Sequence, residues 1–170
     1  MSGKSTYGRE LARITSREFI DLDDIIEEGV SAGEIIRTKG EEVFRQEETD
    51  ALKRVLERGC DCILALGGGT VVREENRALL RGRCRTIWLK APLEESVFNP
   101  KWAHLTAQRP LLGDRERTEA LYRSRIPAYT VAADIIIDTA GKKPGEVLSE
   151  LVESLEWRSS ASELRGQDGA

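Results

Sequence analysis

Apolar residues along this chain fall into short unbroken runs set between longer stretches with helical spacing. Cys62-Ile63-Leu64-Ala65-Leu66 is continuous, as expected of a strand covered on both faces. Arg85-Thr86-Ile87-Trp88-Leu89 and Ile135-Ile136-Ile137 read the same way. Glu18-Phe19-Ile20-Asp21-Leu22-Asp23 alternates, so it reads as a strand that ends in acids. Between these runs, helices are expected over residues 4–15, 24–37, 41–58, 74–80, 115–124 and 144–157. Gly29 and Gly33 divide the second into two pieces, Gly59 is a stop signal for the third, and Pro127 limits the fifth. A short helix is expected over Leu93–Val97. Residues 98–114 carry no clear period, so the stretch reads as a functional loop or as an element whose pattern is hidden. Residues 158–170 are Ser/Gly-rich and polar and are expected to be a disordered tail.

Strands alternating with helices, each strand nearly all apolar, predict an α/β fold with a parallel sheet covered on both faces. Ligands of such sheets sit beyond the carboxyl ends of the strands. Four stretches should therefore share one crevice: the residues that open the first helix, the acids Asp21 and Asp23, Gly67-Gly68-Gly69, and the loop after Leu89.

Composition narrows the class. The chain has 170 residues, enough for one domain with one sizeable core. Its net charge of −4 gives no electrostatic case for a general nucleic-acid binder. No apolar run is long enough to span a bilayer and no signal-peptide pattern is present, so no membrane partner is expected and a cytoplasmic location is the default. Cys60-x-Cys62 is not a zinc spacing, and an odd count of three cysteines argues against a disulfide framework. Cys62 reads as core filler. His104, the single histidine, has no motif around it.

The candidate chemistry begins at Gly3-Lys4-Ser5, the closing half of a phosphate-binding loop. Backbone N–H groups would cradle phosphates, Lys4 would reach the outer phosphates, and the Ser5 hydroxyl would ligate Mg²⁺. Asp21 and Asp23, two apart on a strand, would share a face and hold a cation or a hydroxyl-rich ligand; the other reading is acids that cap a helix. Three glycines directly after a buried strand let a small ligand approach the backbone, or form an ordinary turn. Arg45, in an acid-rich helix, reads as a surface ion pair or as a clamp. Arg109 and Arg125 stand before proline-bearing turns and suit carboxylate or phosphate.

Taken together, these residues resemble the shikimate kinases. The resemblance is carried by Gly3-Lys4-Ser5-Thr6, Asp21-Leu22-Asp23, Phe44-Arg45-Gln46-Glu47-Glu48, Leu66-Gly67-Gly68-Gly69, Arg109-Pro110-Leu111-Leu112, Arg125-Ile126-Pro127-Ala128-Tyr129 and Lys142-Lys143-Pro144-Gly145. It covers residues 1–157 as one domain with a lid at about 98–114. It implies a three-layer αβα fold with a central parallel sheet, like the P-loop nucleoside monophosphate kinases. It also implies ATP-dependent phosphorylation of the shikimate 3-hydroxyl with Mg²⁺, in a monomer. By the same resemblance Gly3, Lys4, Ser5 and Thr6 bind ATP, and Ser5 and Asp21 lie at the metal. Asp23 accepts from the substrate hydroxyls and serves as base. Arg45 and Arg125 clamp the substrate carboxylate, and Gly67, Gly68 and Gly69 line its ring. Arg109 closes onto the transferring phosphoryl group, and Pro144 flanks adenine.

Two departures from the family pattern stand out. The strand and opening glycine that normally precede Gly-Lys-Ser are not in the sequence, so a gap is expected in the sheet. Phe98-Asn99-Pro100-Lys101-Trp102 lacks the usual Arg-Thr that packs on adenine. The alternatives weighed are a shikimate-binding or regulatory domain without turnover, and a related hydroxy-acid kinase.

Overall fold

The computed structural model describes residues 3–26, 31–93 and 115–163, the last eight of these as backbone only. Helix α1, Lys4–Thr15, leads into β1, Glu18–Asp21. Three helices follow: α2 (Leu22–Ile26), α3 (Ala32–Lys39) and α4 (Glu41–Glu57). Strand β2, Cys62–Ala65, runs into the glycines, a 3₁₀ turn at Thr70–Val72 and α5, Glu74–Leu80. Beyond β3 (Ile87–Lys90) come α6 (Arg115–Ala132), β4 (Ile135–Asp138) and α7 (Pro144–Glu163). The helix expected over Leu93–Val97, the lid at 98–114, Arg109 and His104 lie outside the described residues, apart from Leu93 itself.

The layering follows the period-two alternation of the strands. Cys62, Leu64 and Leu66 pack toward a core of Ile20, Leu22, Ala51, Leu52, Val55, Val71 and Leu80, supplied mainly by α4 and α5. Ile63, between them, packs the other way, toward Leu11, Ile137, Val147 and Leu151 of α1, β4 and α7. Helices therefore cover both faces of the strands, which is the three-layer αβα arrangement.

All strand pairs are parallel, but they do not form one sheet. β1 pairs with β2 in the register Glu18↔Cys62 to Asp21↔Ala65. β3 pairs with β4 in the register Ile87↔Ile135 to Lys90↔Asp138. Among the described residues the result is two two-stranded sheets. Between them lies a largely apolar cleft of about 910 Å³, bordered by β2 on one side and β3 on the other. Helices cover both faces, but most strand residues bordering the cleft stay only partly buried. Only Ala65 of β2 and Ile137 of β4 are buried, and Ile136 is 48% exposed.

Three boundaries differ for local reasons. Pro127 does not limit its helix: α6 runs through it to Ala132. An interior proline costs roughly 3 kcal/mol, and the second half of α6 is held by tertiary ties at Tyr129. The last helix continues past Trp157 to Glu163, because no glycine or proline interrupts the Ser- and Ala-containing stretch. Asp21 and Asp23 do not share a strand. β1 ends at Asp21, and its carboxylate accepts from the Asp23 N–H at 3.2 Å, capping α2 as that helix begins.

No helix among the described residues is long and apolar enough to cross a membrane. Leu52 is fully buried at the centre of the α4-side core. Leu52→Ala should lower unfolding stability by about 2–5 kcal/mol in urea titration. A loss below about 1 kcal/mol would show that this cluster does not carry the fold.

Candidate active site

Helix α1 has no acidic residue in its first turn and no side chain capping it. Gly3 supplies the left-handed turn at φ 74° from which the helix departs, a conformation that costs glycine nothing. The first turn thus points unneutralised N–H groups and the positive end of the helix dipole outward, the standard arrangement for anions. Lys4 is its first residue and borders the cleft; Ser5 and Thr6 follow in the same turn.

Ser5 Oγ donates to Asp21 Oδ2 at 2.6 Å, which joins α1 to the end of β1. Asp21 is thus bonded to Ser5 by one carboxylate oxygen and to the Asp23 N–H by the other. Because Asp21 lies opposite Ala65 in the ladder, Asp23 comes level with the glycines that follow β2. A methyl group on Gly67 would come within 2.7 Å of Asp23 Oδ1 and 2.8 Å of Glu48 Oε1. One on Gly69 would collide with the Arg45 guanidinium. One on Gly68 would lie 3.5 Å from Arg125 Nη1 and 3.5 Å from the Tyr129 hydroxyl. Gly67 and Gly69 are therefore glycines because side chains from three different elements crowd against them.

Arg45 pairs with a buried carboxylate as well as with one at the surface. Its side chain is 16% exposed and that of Glu48 is 2% exposed, and the two are bonded directly. Glu41 bonds the other guanidinium nitrogen at 3.2 Å. Burial works against the Arg45 charge, but the two carboxylates outweigh it and hold its pKa above the ordinary arginine value. Glu48 also accepts from the Thr70 hydroxyl at 2.8 Å, so one buried carboxylate fixes both the arginine and the turn after the glycines.

On the opposite wall, Arg125 and Tyr129 lie one helical turn apart on α6. The Tyr129 hydroxyl donates to the Gly68 carbonyl at 2.6 Å, and its ring sits 5.4 Å from that of Trp88 on β3. The uninterrupted passage of α6 through Pro127 is what puts both residues above the glycines. Two guanidinium groups from separate helices thus bear on consecutive glycines, close to the carboxylate of Asp23.

The far end of the strands has different chemistry. Burial and a bond with Cys60 push the Cys62 thiol up to about 12, so it carries no thiolate at neutral pH.

A family model for shikimate kinase matches residues 1–156. The chain belongs to the shikimate kinase family. It is 36% identical over 157 residues to a shikimate kinase of Dictyoglomus turgidum, covering 91% of each chain. It is 41% identical over 164 residues to that of Moorella thermoacetica, covering 94% of this chain and 92% of the relative. Among solved structures, it is similar to shikimate kinase from Acinetobacter baumannii in complex with shikimate. That match has TM-score 0.81 and 30% identity, over 91% of this chain and 87% of the other. The Aquifex aeolicus shikimate kinase matches with TM-score 0.72 and 30% identity, over 93% and 92%. Membership in a shikimate kinase family makes the chain a phosphotransferase that uses ATP.

Of the residues picked from the sequence, Ser5, Asp21, Asp23, Arg45, Gly67, Gly68, Gly69 and Arg125 are brought into one connected group, with Lys4 at its edge. Pro144 opens α7, in the loop beyond β4, with no contact to that group in the geometry above. Three side chains of the group were given no role from the sequence: Glu48, Thr70 and Tyr129. Glu48 and Tyr129 each stand one helical turn from a picked arginine, at i+3 and i+4, which is the signal that would have found them.

Glu48→Ala removes one half of a buried pair. It should cost about 3–5 kcal/mol of stability and release Arg45 and Thr70 together. Urea unfolding measures the first. Loss of the Thr70 hydroxyl's protection from exchange measures the second. A near-neutral change in both would show that the pair is not holding the site.

Proposed function

We propose that this chain transfers the γ-phosphoryl group of ATP to the 3-hydroxyl of shikimate, in the biosynthesis of aromatic amino acids. The observation that carries the reading is the convergence of Arg45 and Arg125 on Gly68-Gly69 beside Asp23, next to the anion-ready first turn of α1. A ring acid needs cations for its carboxylate and an acceptor for its hydroxyl. Guanidinium groups match a carboxylate bidentately, and the glycines let the ring lie against the backbone without Cβ interference.

The N–H groups of Gly3 to Thr6 and the Lys4 ammonium hold the nucleotide phosphates. The oxygen donors Ser5 Oγ and Asp21 Oδ2, already 2.6 Å apart, suit Mg²⁺, a hard cation that takes one or two protein oxygens and completes its shell with phosphate and water. When bound, the ion neutralises charge on the phosphate oxygens. Arg45 and Arg125 orient shikimate by its carboxylate. Asp23 accepts the proton of the 3-hydroxyl, whose oxygen bonds the γ-phosphorus as the bond to the β,γ-bridging oxygen breaks and ADP leaves. Arg109 stabilises the charge on the transferring group when the lid closes and excludes water. Pro144 flanks adenine. The protein acts as a cytoplasmic monomer without nucleic-acid or membrane partners.

The direct test mixes the purified chain with Mg-ATP and shikimate and follows ADP release and shikimate phosphate by mass spectrometry. Quinate and gluconate serve as competing acceptors. The expected result is one phosphate on shikimate per ADP and little on the other acids. Shikimate binding heat without ADP release would mean a binding domain instead. Preference for an acyclic acid would mean a different kinase.

Arg109→Ala should lower kcat by about 10²-fold or more, the usual loss for one donor to transition-state charge. Shikimate affinity by calorimetry should change far less. Unchanged kcat in this variant would remove Arg109 from the mechanism.

A further inference from the structure

Gly67-Gly68-Gly69-Thr70 form a β-turn, closed by the Thr70 N–H donating to the Gly67 carbonyl at 3.2 Å. The central peptide of the turn joins Gly68 to Gly69. Type I and type II turns differ by a flip of that peptide: the third residue has φ of about −90° in the first and about +80° in the second. Gly69 has φ −102° and ψ −16°, the type I form. Local sterics do not enforce it. The flip turns ψ of Gly68 and φ of Gly69, and glycine takes either sign of φ readily. Glycine in the third position in fact favours type II. The closing hydrogen bond is common to both forms, so the restraint comes from outside the turn. The Tyr129 hydroxyl donates to the Gly68 carbonyl at 2.6 Å, and among the described residues no other hydrogen bond reaches this peptide. A flipped carbonyl would turn away from α6 and lose that bond.

The same bond fixes the direction of a donor. A trans peptide points its C=O and its N–H in opposite directions, so the Gly69 N–H points away from the Tyr129 hydroxyl. Gly69 is buried, yet its N–H has no acceptor among the described residues. Buried backbone donors are almost always satisfied, by protein, water or ligand. Arg45 crowds against Gly69 and Arg125 lies beside Gly68, so a ligand accepting this bond is the one that the two guanidinium groups hold. Tyr129 is itself well anchored, with its ring 5.4 Å from that of Trp88 and 6.5 Å from that of Tyr122.

We propose that Tyr129 is a positioning residue for the acceptor substrate: its hydroxyl keeps the Gly68–Gly69 peptide in the type I orientation and so keeps the Gly69 N–H aimed at the ring acid. The role rests on the reading of this site as a shikimate site. One helix then serves the substrate twice. Arg125 brings a cation to its carboxylate, and Tyr129, one turn later, sets the direction of a neutral donor without touching the substrate.

Tyr129→Phe keeps the ring and removes the hydroxyl. Tyr122→Phe, the same change two turns earlier on α6, is the control. Two measurements are made on the full chain. NMR without ligand reads the NOE between the Gly68 and Gly69 N–H protons, which is strong in type I, where the two groups lie side by side, and weak in type II. Calorimetry reads the affinities for shikimate and for Mg-ATP. In Tyr129→Phe the NOE should be largely lost and the shikimate Kd should rise about tenfold, the worth of one hydrogen bond. Mg-ATP affinity should not change, and Tyr122→Phe should match the parent throughout. An NOE that survives in Tyr129→Phe would overturn the proposal. So would a lost NOE with an unchanged shikimate Kd, or an equal loss of Mg-ATP affinity, which would mean a general distortion of the site. A parent chain that binds no shikimate would remove the shikimate reading and this role with it. A parent that binds shikimate no better than Tyr129→Phe would remove the role of Tyr129 alone.

Discussion

The parallel ladder between β1 and β2 is the constraint on which the site depends. It sets Asp21 opposite Ala65, so the two strands end at the same level and the residues beyond them meet. Asp23 can then reach the glycines after β2, and Asp21 can reach Ser5 at the start of α1. A slip of one residue would turn every side chain of β2 to the other layer and separate these groups. Glu48 adds the second fastening. A buried carboxylate beside the glycines is tolerable only because Arg45 and Thr70 satisfy it. The clamp for the substrate's negative charge is thus part of the same network that makes Glu48 affordable in the core.

The division of the strands into two sheets matters to the site. Lys4, Gly68, Arg125 and Tyr129 all border the cleft between them, and they hang from both half-sheets. The separation between β2 and β3 sets the separation between the anion-binding turn of α1 and the wall formed by α6.

Much of this was legible in the residues. Unbroken apolar runs located β2, β3 and β4, because a strand covered by helices has little use for polar side chains. Helical spacing also located α1 and α4, whose buried stripes the structure places at Leu11 and Ala12 and at Ala51, Leu52 and Val55. The carboxyl-end rule then put Asp23, Gly67 and the first turn of α1 in one place. What local pattern could not show is tertiary. Pro127 reads as a helix limit, and α6 continues beyond it where Tyr129 holds Gly68 and Trp88 and Ala132 packs on the core. Asp21 and Asp23 read either as two acids on one strand face or as helix caps, and the folded chain takes the second, with Asp21 capping the next helix. Glu48 looks like one more acid in an acid-rich helix until Thr70 is folded against it. The separation of the described strands into two sheets was not legible in the strands themselves, whose periodicity does not say which strands pair.

The claim at the centre is that two arginines far apart in the chain act on one carboxylate across a shared bed of glycines. A double-mutant cycle tests it directly: shikimate affinity by calorimetry for the parent chain, Arg45→Met, Arg125→Met and the double variant. Convergence on one group predicts strong non-additivity, with a coupling of roughly 1 kcal/mol or more. Full additivity of the two losses would contradict it, because it would mean that the arginines do not share a ligand group.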